Sequence, residues 1–220
     1  MAIENDKIKT KYLILCEGKD AQLFMIHYLN SDILKYDYRY SKDIQVMNFK
    51  GINELSSYIA ALKNMDGYLD VTRIMVLRDA ETSIEKATNS VKKAFHDNDL
   101  PIPADCNEWH FSDNLGTAFT LFPTCCQNLT TGALEDLCWE ILSDERADDY
   151  RSDVQAFIEQ INQKYGSITT HVHKGRLHTY FSVKDNLVSL KIGEAARAGA
   201  FDWNHERLQP LRELIEEGFN

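Results

Sequence analysis

Three short segments rich in apolar residues lie in the first third of the chain, and each is followed by a segment whose apolar positions have helical spacing. The segments are residues 12–16, 45–49 and 73–77. Short apolar runs of this kind are typical of strands that are buried on both faces of a sheet. Strands that alternate with helices predict an α/β fold: a mainly parallel sheet flanked by helices and joined by right-handed crossovers.

The pattern changes after residue 103. Two further strands are predicted at residues 108–112 and 118–122, and helical spacing dominates the rest of the chain, with breaks at Gly193 and Gly199. We therefore predict an α/β core over residues 1–125. A mostly helical C-terminal extension over residues 126–220 is expected to pack on that core as part of a single domain.

The composition is that of a globular protein, with 44% hydrophobic and 26% charged residues among 220. No window approaches 18 consecutive apolar residues, and residues 1–12 are polar where a signal peptide would need an apolar segment. We therefore expect a cytoplasmic protein that does not associate with a membrane.

The charge balance is acidic, with 24 Lys and Arg against 34 Asp and Glu, a net charge of −10. Binding to nucleic acid normally depends on clustered Lys and Arg, so tight binding to DNA or RNA without metal is not expected. Carboxylates gathered at one site can instead hold Mg²⁺, which then supplies the positive charge that a phosphate needs.

Acidic residues follow two of the predicted strands. Glu17 comes directly after the first strand, with Asp20 three positions later, and Asp79 and Glu81 follow the third. On an extended exit from the strand, Asp79 and Glu81 would point to the same side. Because neighbouring strands are about 5 Å apart, carboxylates from two strand ends can share a divalent ion. Asp20 is as well suited to cap the first helix as to bind a metal ion.

Two of these segments resemble motifs of the Toprim fold. Residues 13–20 (LILCEGKD) resemble its first motif, an apolar strand that ends in Glu-Gly. Residues 74–81 (IMVLRDAE) are similar to its second motif, a strand that ends in Asp-x-Asp, with Glu81 in place of the last Asp. Residues 132–142, 174–181 and 193–201 are similar to a small standalone family of uncharacterised Toprim-related proteins. Topoisomerases, bacterial primases, recombination proteins and the overcoming-lysogenization-defect nucleases share this fold.

The resemblance implies a Toprim-like, Rossmann-like fold and a site for Mg²⁺ or Mn²⁺. It implies that Glu17 acts as an acid/base residue and that a basic residue neutralises the transition state. Lys174 is the first choice for that basic residue, with Lys184 and Arg176 behind it. The implied metal ligands are Glu17, Asp79, Glu81, Glu135 and Asp136. For the last two, which lie in a Leu-Glu-Asp helix, interaction with the helix N-terminus is the competing explanation.

The resulting hypothesis is a divalent-metal-dependent phosphotransfer enzyme, a nuclease that hydrolyses phosphodiester bonds in DNA or RNA. The alternative is a non-catalytic Toprim-like module that binds metal or nucleic acid as a subunit or regulator of a larger assembly. No Gly-x4-Gly-Lys-Ser/Thr phosphate loop occurs, so an ATPase partner would be a separate chain. A homodimer is also an open expectation.

One group of histidines suggests a different site. His171 and His173 alternate in sequence, and on a strand both imidazoles would point the same way, as in a Zn²⁺ or phosphate site. No Cys or Glu has matching spacing, so hydrogen-bonded or solvated histidines are the simpler interpretation.

Overall fold

A computed structural model describes residues 7–34, 43–123, 131–166 and 171–219. Its five-stranded sheet has the order β2-β1-β3-β5-β4. Strands β2, β1, β3 and β5 are parallel, and β4 is antiparallel to β5 at one edge. The strands are β1 (Tyr12–Cys16), β2 (Ile44–Asn48), β3 (Arg73–Asp79), β4 (Trp109–Ser112) and β5 (Leu115–Phe122).

Helices follow each of the first three strands, as the sequence predicts, and helices dominate the C-terminal part. They are α1 (Lys19–Leu29), α2 (Leu55–Leu62), α3 (Ile84–His96), α4 (Leu134–Glu140), α5 (Ala147–Tyr165), α6 (Val172–Ser182), α7 (Ile192–Arg197) and α8 (Gln209–Phe219). The predicted α/β class, a mainly parallel sheet flanked by helices with a helical C-terminal part, is confirmed.

The sheet is buried on both faces because its side chains alternate between two cores. On one face Leu13 and Val76 pack with residues of α2 and α3. On the other face Ile14 and Met75 pack with α1 and with the C-terminal helices, including Leu177. This arrangement explains why the central strands are almost wholly apolar.

The C-terminal helices share the second core with the sheet. Trp109 Nε1 of β4 donates a hydrogen bond to the Leu214 carbonyl of α8 at 2.7 Å, and Arg73 Nε of β3 donates to the Gly218 carbonyl at 3.2 Å. On the far side of α1, α7 approaches so closely that a Cβ at Gly193 would lie 2.4 Å from Leu23 Cβ. The predicted boundary between residues 125 and 126 lies outside the described residues.

The histidine pair does not lie on a strand, which was the condition for both imidazoles to point the same way. His171 precedes α6 and His173 lies in its first turn, with the two rings 5.9 Å apart and nearly perpendicular. Side chains two residues apart point the same way on a strand, but in a helix each residue is rotated by about 100° from the one before it. The two imidazoles therefore do not point in one direction.

No helix among the described residues has the length and apolar composition needed to cross a membrane.

Candidate functional site

The register of the central strands brings the first and third strand ends together. Cys16 of β1 is opposite Leu77 of β3, and the Glu17 amide donates a hydrogen bond to the Leu77 carbonyl at 3.0 Å. The Asp79 amide in turn donates to Glu17 Oε2 at 3.3 Å. Glu17 and Asp79 therefore meet at the carboxyl edge of the sheet, where ligands bind in open α/β folds.

Helix α4 adds a third carboxylate to this edge. Its first amide, on Leu134, donates to Asp79 Oδ1 at 2.9 Å, which ties the start of the helix to the end of β3. The next residue, Glu135, has a side chain that is only 13% exposed. Glu17, Asp79 and Glu135 line one cleft of about 490 Å³, which we call the carboxylate cleft.

Asp79 is repelled by both Glu17 and Glu135 in a largely buried environment. Burial, followed by the charges of Glu17 and Glu135, raises the pKa of Asp79 from 3.8 to about 8, against the opposing effect of the Leu134 amide. Burial also raises the pKa of Glu17, which the nearby Arg78 guanidinium partly offsets. Groups that resist ionisation in this way are stabilised in their charged form by a bound cation.

Glu81 is placed differently from the prediction. The backbone after β3 was expected to stay extended through Glu81, but Glu81 has a φ of +53°. The Glu81 backbone also pairs with that of Gly132 through two hydrogen bonds of 2.8 Å. Its side chain lines a neighbouring cleft instead of the carboxylate cleft. Glu81 still adds negative charge that raises the pKa of both Glu17 and Asp79.

Asp136 faces the same neighbouring cleft, and both of its carboxylate oxygens have partners. Oδ2 accepts a hydrogen bond from the Ala133 amide at 2.9 Å, and Oδ1 accepts one from Arg176 Nη2 at 2.8 Å. The Arg176 guanidinium also lies 5.7 Å from the centre of the Trp139 ring. Asp136 thus caps α4 and anchors α6, in line with the competing explanation for this residue. The cleft that Asp136, Arg176 and Glu81 share, of about 660 Å³, is called here the arginine cleft.

Of the predicted basic residues, Lys174 alone lines the carboxylate cleft. Its Nζ lies 3.7 Å from Glu135 Oε1, and the side chain is 53% exposed. Lys184 forms an ion pair with Asp144 and lies over the Tyr150 ring, and it does not line either cleft. The structure therefore separates the three candidates into three different environments.

Asp20 lines the carboxylate cleft but does not cap α1. The helix begins one residue before it, with Gly18 at the N-cap position, so the capping interpretation is wrong. Asp20 Oδ1 accepts a hydrogen bond from the Gly193 amide of α7 at 3.4 Å. Its carboxylate thus connects the start of α1 to the C-terminal helices beside the site.

Sequence reasoning missed several cationic residues of the carboxylate cleft, namely Arg78, Lys19 and Lys50. Arg78 is only 2% exposed, and its Nε lies 3.8 Å from Glu17 Oε2. A single Arg at the end of the otherwise apolar run IMVLR was the available signal, because a buried guanidinium needs a nearby anion. Lys50 could not have been found, since it follows β2 in a segment without a motif.

The donor set of the cleft fits Mg²⁺ or Mn²⁺. Within the described ranges, no group of three or more His, Cys, Asp or Glu side chains is placed to hold a metal ion. Mg²⁺ commonly binds through only one or two carboxylates and completes its shell with water and substrate phosphates. Glu17 and Asp79 supply such a pair of oxygen donors, whereas a closed structural site of the zinc type would need more protein ligands.

The fold and this site define a class of protein: an α/β domain with carboxylates clustered at the ends of adjacent parallel strands. Within that class, the chain belongs to the family described as "Protein of unknown function (DUF3226)", whose model matches residues 11–220. The comparison with curated proteins gives no significant match.

Among solved structures, the chain is similar to the C-terminal region of the Xanthomonas campestris pv. campestris OLD protein. In the structure phased with platinum the identity is 15%, the TM-score is 0.46, and the match covers 94% of this chain and 93% of that one. In the structure phased with mercury the identity is 13%, the TM-score is again 0.46, and the match covers 94% of this chain and 95% of that one.

Proposed function

We propose that this protein is a divalent-metal-dependent phosphoryl-transfer enzyme, a nuclease that hydrolyses phosphodiester bonds in DNA or RNA. The observation that carries the proposal is that Glu17, Asp79 and Glu135, from three separate elements, line one cleft at the carboxyl edge of the sheet. Burial, followed by the charges of Glu17 and Glu135, raises the pKa of Asp79, and a bound cation would favour its charged form. The resemblance of residues 13–20 and 74–81 to Toprim motifs supports the same chemistry.

Glu17 and Asp79 are the residues that would hold Mg²⁺ or Mn²⁺, with Glu135 close to them. Such an ion would polarise a phosphoryl oxygen and lower the pKa of water. The Leu134 amide holds Asp79 in place through Oδ1, while Oδ2 forms no hydrogen bond with the described residues.

Glu17 is suited to accept a proton from the attacking water. Its Oε2 is fixed by the Asp79 amide, while its Oε1 forms no hydrogen bond with the described part of the chain. The raised pKa of Glu17 brings it closer to the range in which a general base works well near neutral pH. Lys174 at the rim can approach the charge that develops on the phosphate.

The test is a cleavage assay on plasmid DNA, single-stranded DNA and RNA with Mg²⁺, with Mn²⁺ and with EDTA. We expect cleavage with either metal and none in EDTA. Glu17→Gln and Asp79→Asn preserve shape and should lower the rate at least about 10²-fold, since each removes a charge required in the transition state.

The matched control is Glu159→Gln, which neutralises an exposed carboxylate on α5 whose partner is Gln155. This variant should cleave at the wild-type rate. Cleavage that persists in both Glu17→Gln and Asp79→Asn would contradict the proposal, because the activity would then come from a contaminant or another site.

A second candidate is a non-catalytic module that binds metal or nucleic acid for a larger assembly, with a separate ATPase chain or a second copy as the partner. One observation favours it: Glu81 and Asp136 are directed away from the carboxylate cleft, which leaves fewer ligands than the motifs imply. Mn²⁺ binding by calorimetry without cleavage of any substrate would support this candidate over the nuclease.

A further inference from the structure

The carboxylate cleft carries as many positive as negative side chains, although the whole protein is strongly acidic. The side chains of Glu17, Asp20, Asp79 and Glu135 line it together with those of Lys19, Lys50, Arg78 and Lys174. The chain as a whole has 34 acidic and 24 basic residues. The cleft is therefore richer in cations than the rest of this acidic protein, and such a local enrichment favours contact with an anion.

Two of the four cations are already engaged with the carboxylates. Lys174 lies 3.7 Å from Glu135, and Arg78 lies 3.8 Å from Glu17. In contrast, the exposed side chains of Lys19 and Lys50 form no ion pair or hydrogen bond with the described residues. These two lysines are free to bind an anion that enters the cleft.

Arg78 has a donor that the protein does not use. Its side chain is 98% buried, its Nε donates to the Asp79 carbonyl at 3.3 Å, and its Nη1 is buried without a hydrogen-bond partner in the described part of the chain. A buried donor without a partner is unfavourable, so a ligand oxygen that reaches Nη1 would supply a hydrogen bond that the described residues do not.

The start of α1 lies in the same cleft. Gly18 occupies the N-cap position and offers no side-chain cap to the first amides of an 11-residue helix. Uncapped amides and the positive end of the helix dipole favour an anion such as phosphate. Lys19 is the first residue of this helix, so its charge is added at the same place.

We propose that Lys19, Lys50 and Arg78 bind a second phosphate of the substrate, next to the one that reacts at Glu17 and Asp79. This inference rests on the proposed function and specifies its substrate as a polynucleotide chain, in place of a mononucleotide or another monophosphate ester. Glu17 and Asp79 would hold the metal that neutralises the reacting phosphate, and the cations of the protein would neutralise its neighbour. This division explains how a protein of charge −10 binds a polyanion.

The test measures binding of a short fluorescein-labelled single-stranded oligonucleotide by anisotropy over a range of salt concentrations, with Ca²⁺ in place of Mg²⁺. Removing phosphate contacts lowers the slope of log K against log salt by about 0.7 per contact on single strands. The double variant Lys19→Ala/Lys50→Ala should weaken binding at least about tenfold at low salt and lower the slope by about 1.4. Lys86→Ala, an exposed lysine outside the cleft, is the matched control and should change neither quantity.

Arg78→Lys provides an independent variant, with thermal unfolding used to verify that it folds. It keeps the charge but loses the guanidinium geometry, so binding should weaken while the salt slope stays near the wild-type value. If Arg78→Lys does not fold, the exposed-lysine double variant alone decides the question. Unchanged affinity and slope in that double variant, or no oligonucleotide binding by the wild type at low salt, would overturn the proposal.

Parallel calorimetry with Mn²⁺ separates this proposal from the proposed function. Mn²⁺ binding that is lost in Glu17→Gln but kept in Lys19→Ala/Lys50→Ala, together with unchanged oligonucleotide binding, would preserve the metal site and refute the phosphate site. Lysine-dependent oligonucleotide binding without any Mn²⁺ binding or cleavage would preserve the phosphate site and refute the metal-dependent enzyme.

Discussion

Asp79→Asn should stabilise the metal-free protein, because Asp79 is a buried carboxylate surrounded by like charges. The substitution removes the charge and keeps a carbonyl oxygen at the position that accepts the Leu134 amide at 2.9 Å. Most substitutions of buried residues destabilise a protein, so a gain would be a specific signature of electrostatic strain at this site.

The size of the effect follows from the pKa of Asp79, which burial and the neighbouring Glu17 and Glu135 raise from 3.8 to about 8. At pH 7 the folded protein must take up a proton that the unfolded chain does not hold, at a cost of about 4 kcal/mol. Asn avoids that cost but buries two new amide hydrogens, which subtracts about 1–2 kcal/mol. We therefore expect a net gain of about 2–3 kcal/mol in the free energy of unfolding.

The gain should depend on pH with a defined sign. Because the folded-state pKa is raised, the folded protein binds more protons than the unfolded chain between about pH 4 and pH 8. The stability of the wild type relative to Asp79→Asn should therefore fall by up to about 1.4 kcal/mol per pH unit across this window. Near pH 4 the cost of protonation has almost disappeared, so the amide cost of about 1–2 kcal/mol should leave Asp79→Asn slightly less stable than the wild type.

The assay is urea unfolding in EDTA at pH 4, 5, 6, 7 and 8, followed by circular dichroism. Asp144→Asn is a control of opposite sign, because hydrogen bonding to Lys184 lowers the pKa of Asp144, so its neutralisation should destabilise the protein above about pH 4. An Asp79→Asn protein that is less stable than the wild type at pH 7–8, or an energy difference that does not change with pH, would refute this account of the site.

Three further outcomes are expected. Lys174→Met should lower the cleavage rate at least about tenfold, because Lys174 lies at the rim beside Glu135. The Mn²⁺ affinity, measured by calorimetry, should stay within about threefold of the wild type. A large loss of Mn²⁺ affinity would contradict this expectation. Gly193→Ala should destabilise the protein by about 1–3 kcal/mol in urea unfolding, because its Cβ would lie 2.4 Å from Leu23 Cβ. Gly175→Ala in α6, with open space at its Cβ, should instead raise the free energy of unfolding by up to about 1 kcal/mol. Equal effects of the two substitutions would refute the close approach of α7 to α1. Millimolar Mn²⁺ should raise the melting temperature of the wild type and leave that of Asp79→Asn nearly unchanged, since a ligand stabilises only the state that binds it; an equal rise in both would locate the metal elsewhere.

The sequence predicted that Glu17 and Asp79 lie close together at the ends of their strands. Glu17 and Asp79 follow apolar strands directly, and in a parallel sheet the ends of such strands meet at one edge. The position of Glu135 also followed from a local pattern, since it lies in the first turn of α4. For these residues, local sequence and the geometry of the sheet determine the location together.

Other residues depend on backbone conformations or long-range packing that no local pattern encodes. Glu81 leaves the edge because its backbone turns into the left-handed region and pairs with Gly132, which lies 51 positions away. Arg176 and Lys184 lie eight positions apart, yet the packing of α6 directs the first to Asp136, while the second, which follows the helix, pairs with Asp144. Distinguishing a ligand from a helix cap therefore required the three-dimensional contacts.

The position of Arg176 over Trp139 gives the protein a built-in optical probe. Trp139 is 95% buried, its ring lies in T-shaped contact with Tyr180, and the guanidinium lies 5.7 Å from its centre. Indole emission responds to nearby charge, and the other two tryptophans, Trp109 and Trp203, pack in aromatic clusters apart from both clefts. A molecule that enters the arginine cleft and moves Arg176 away from the Trp139 ring would thus change the intrinsic fluorescence. Its binding could be measured without any added dye.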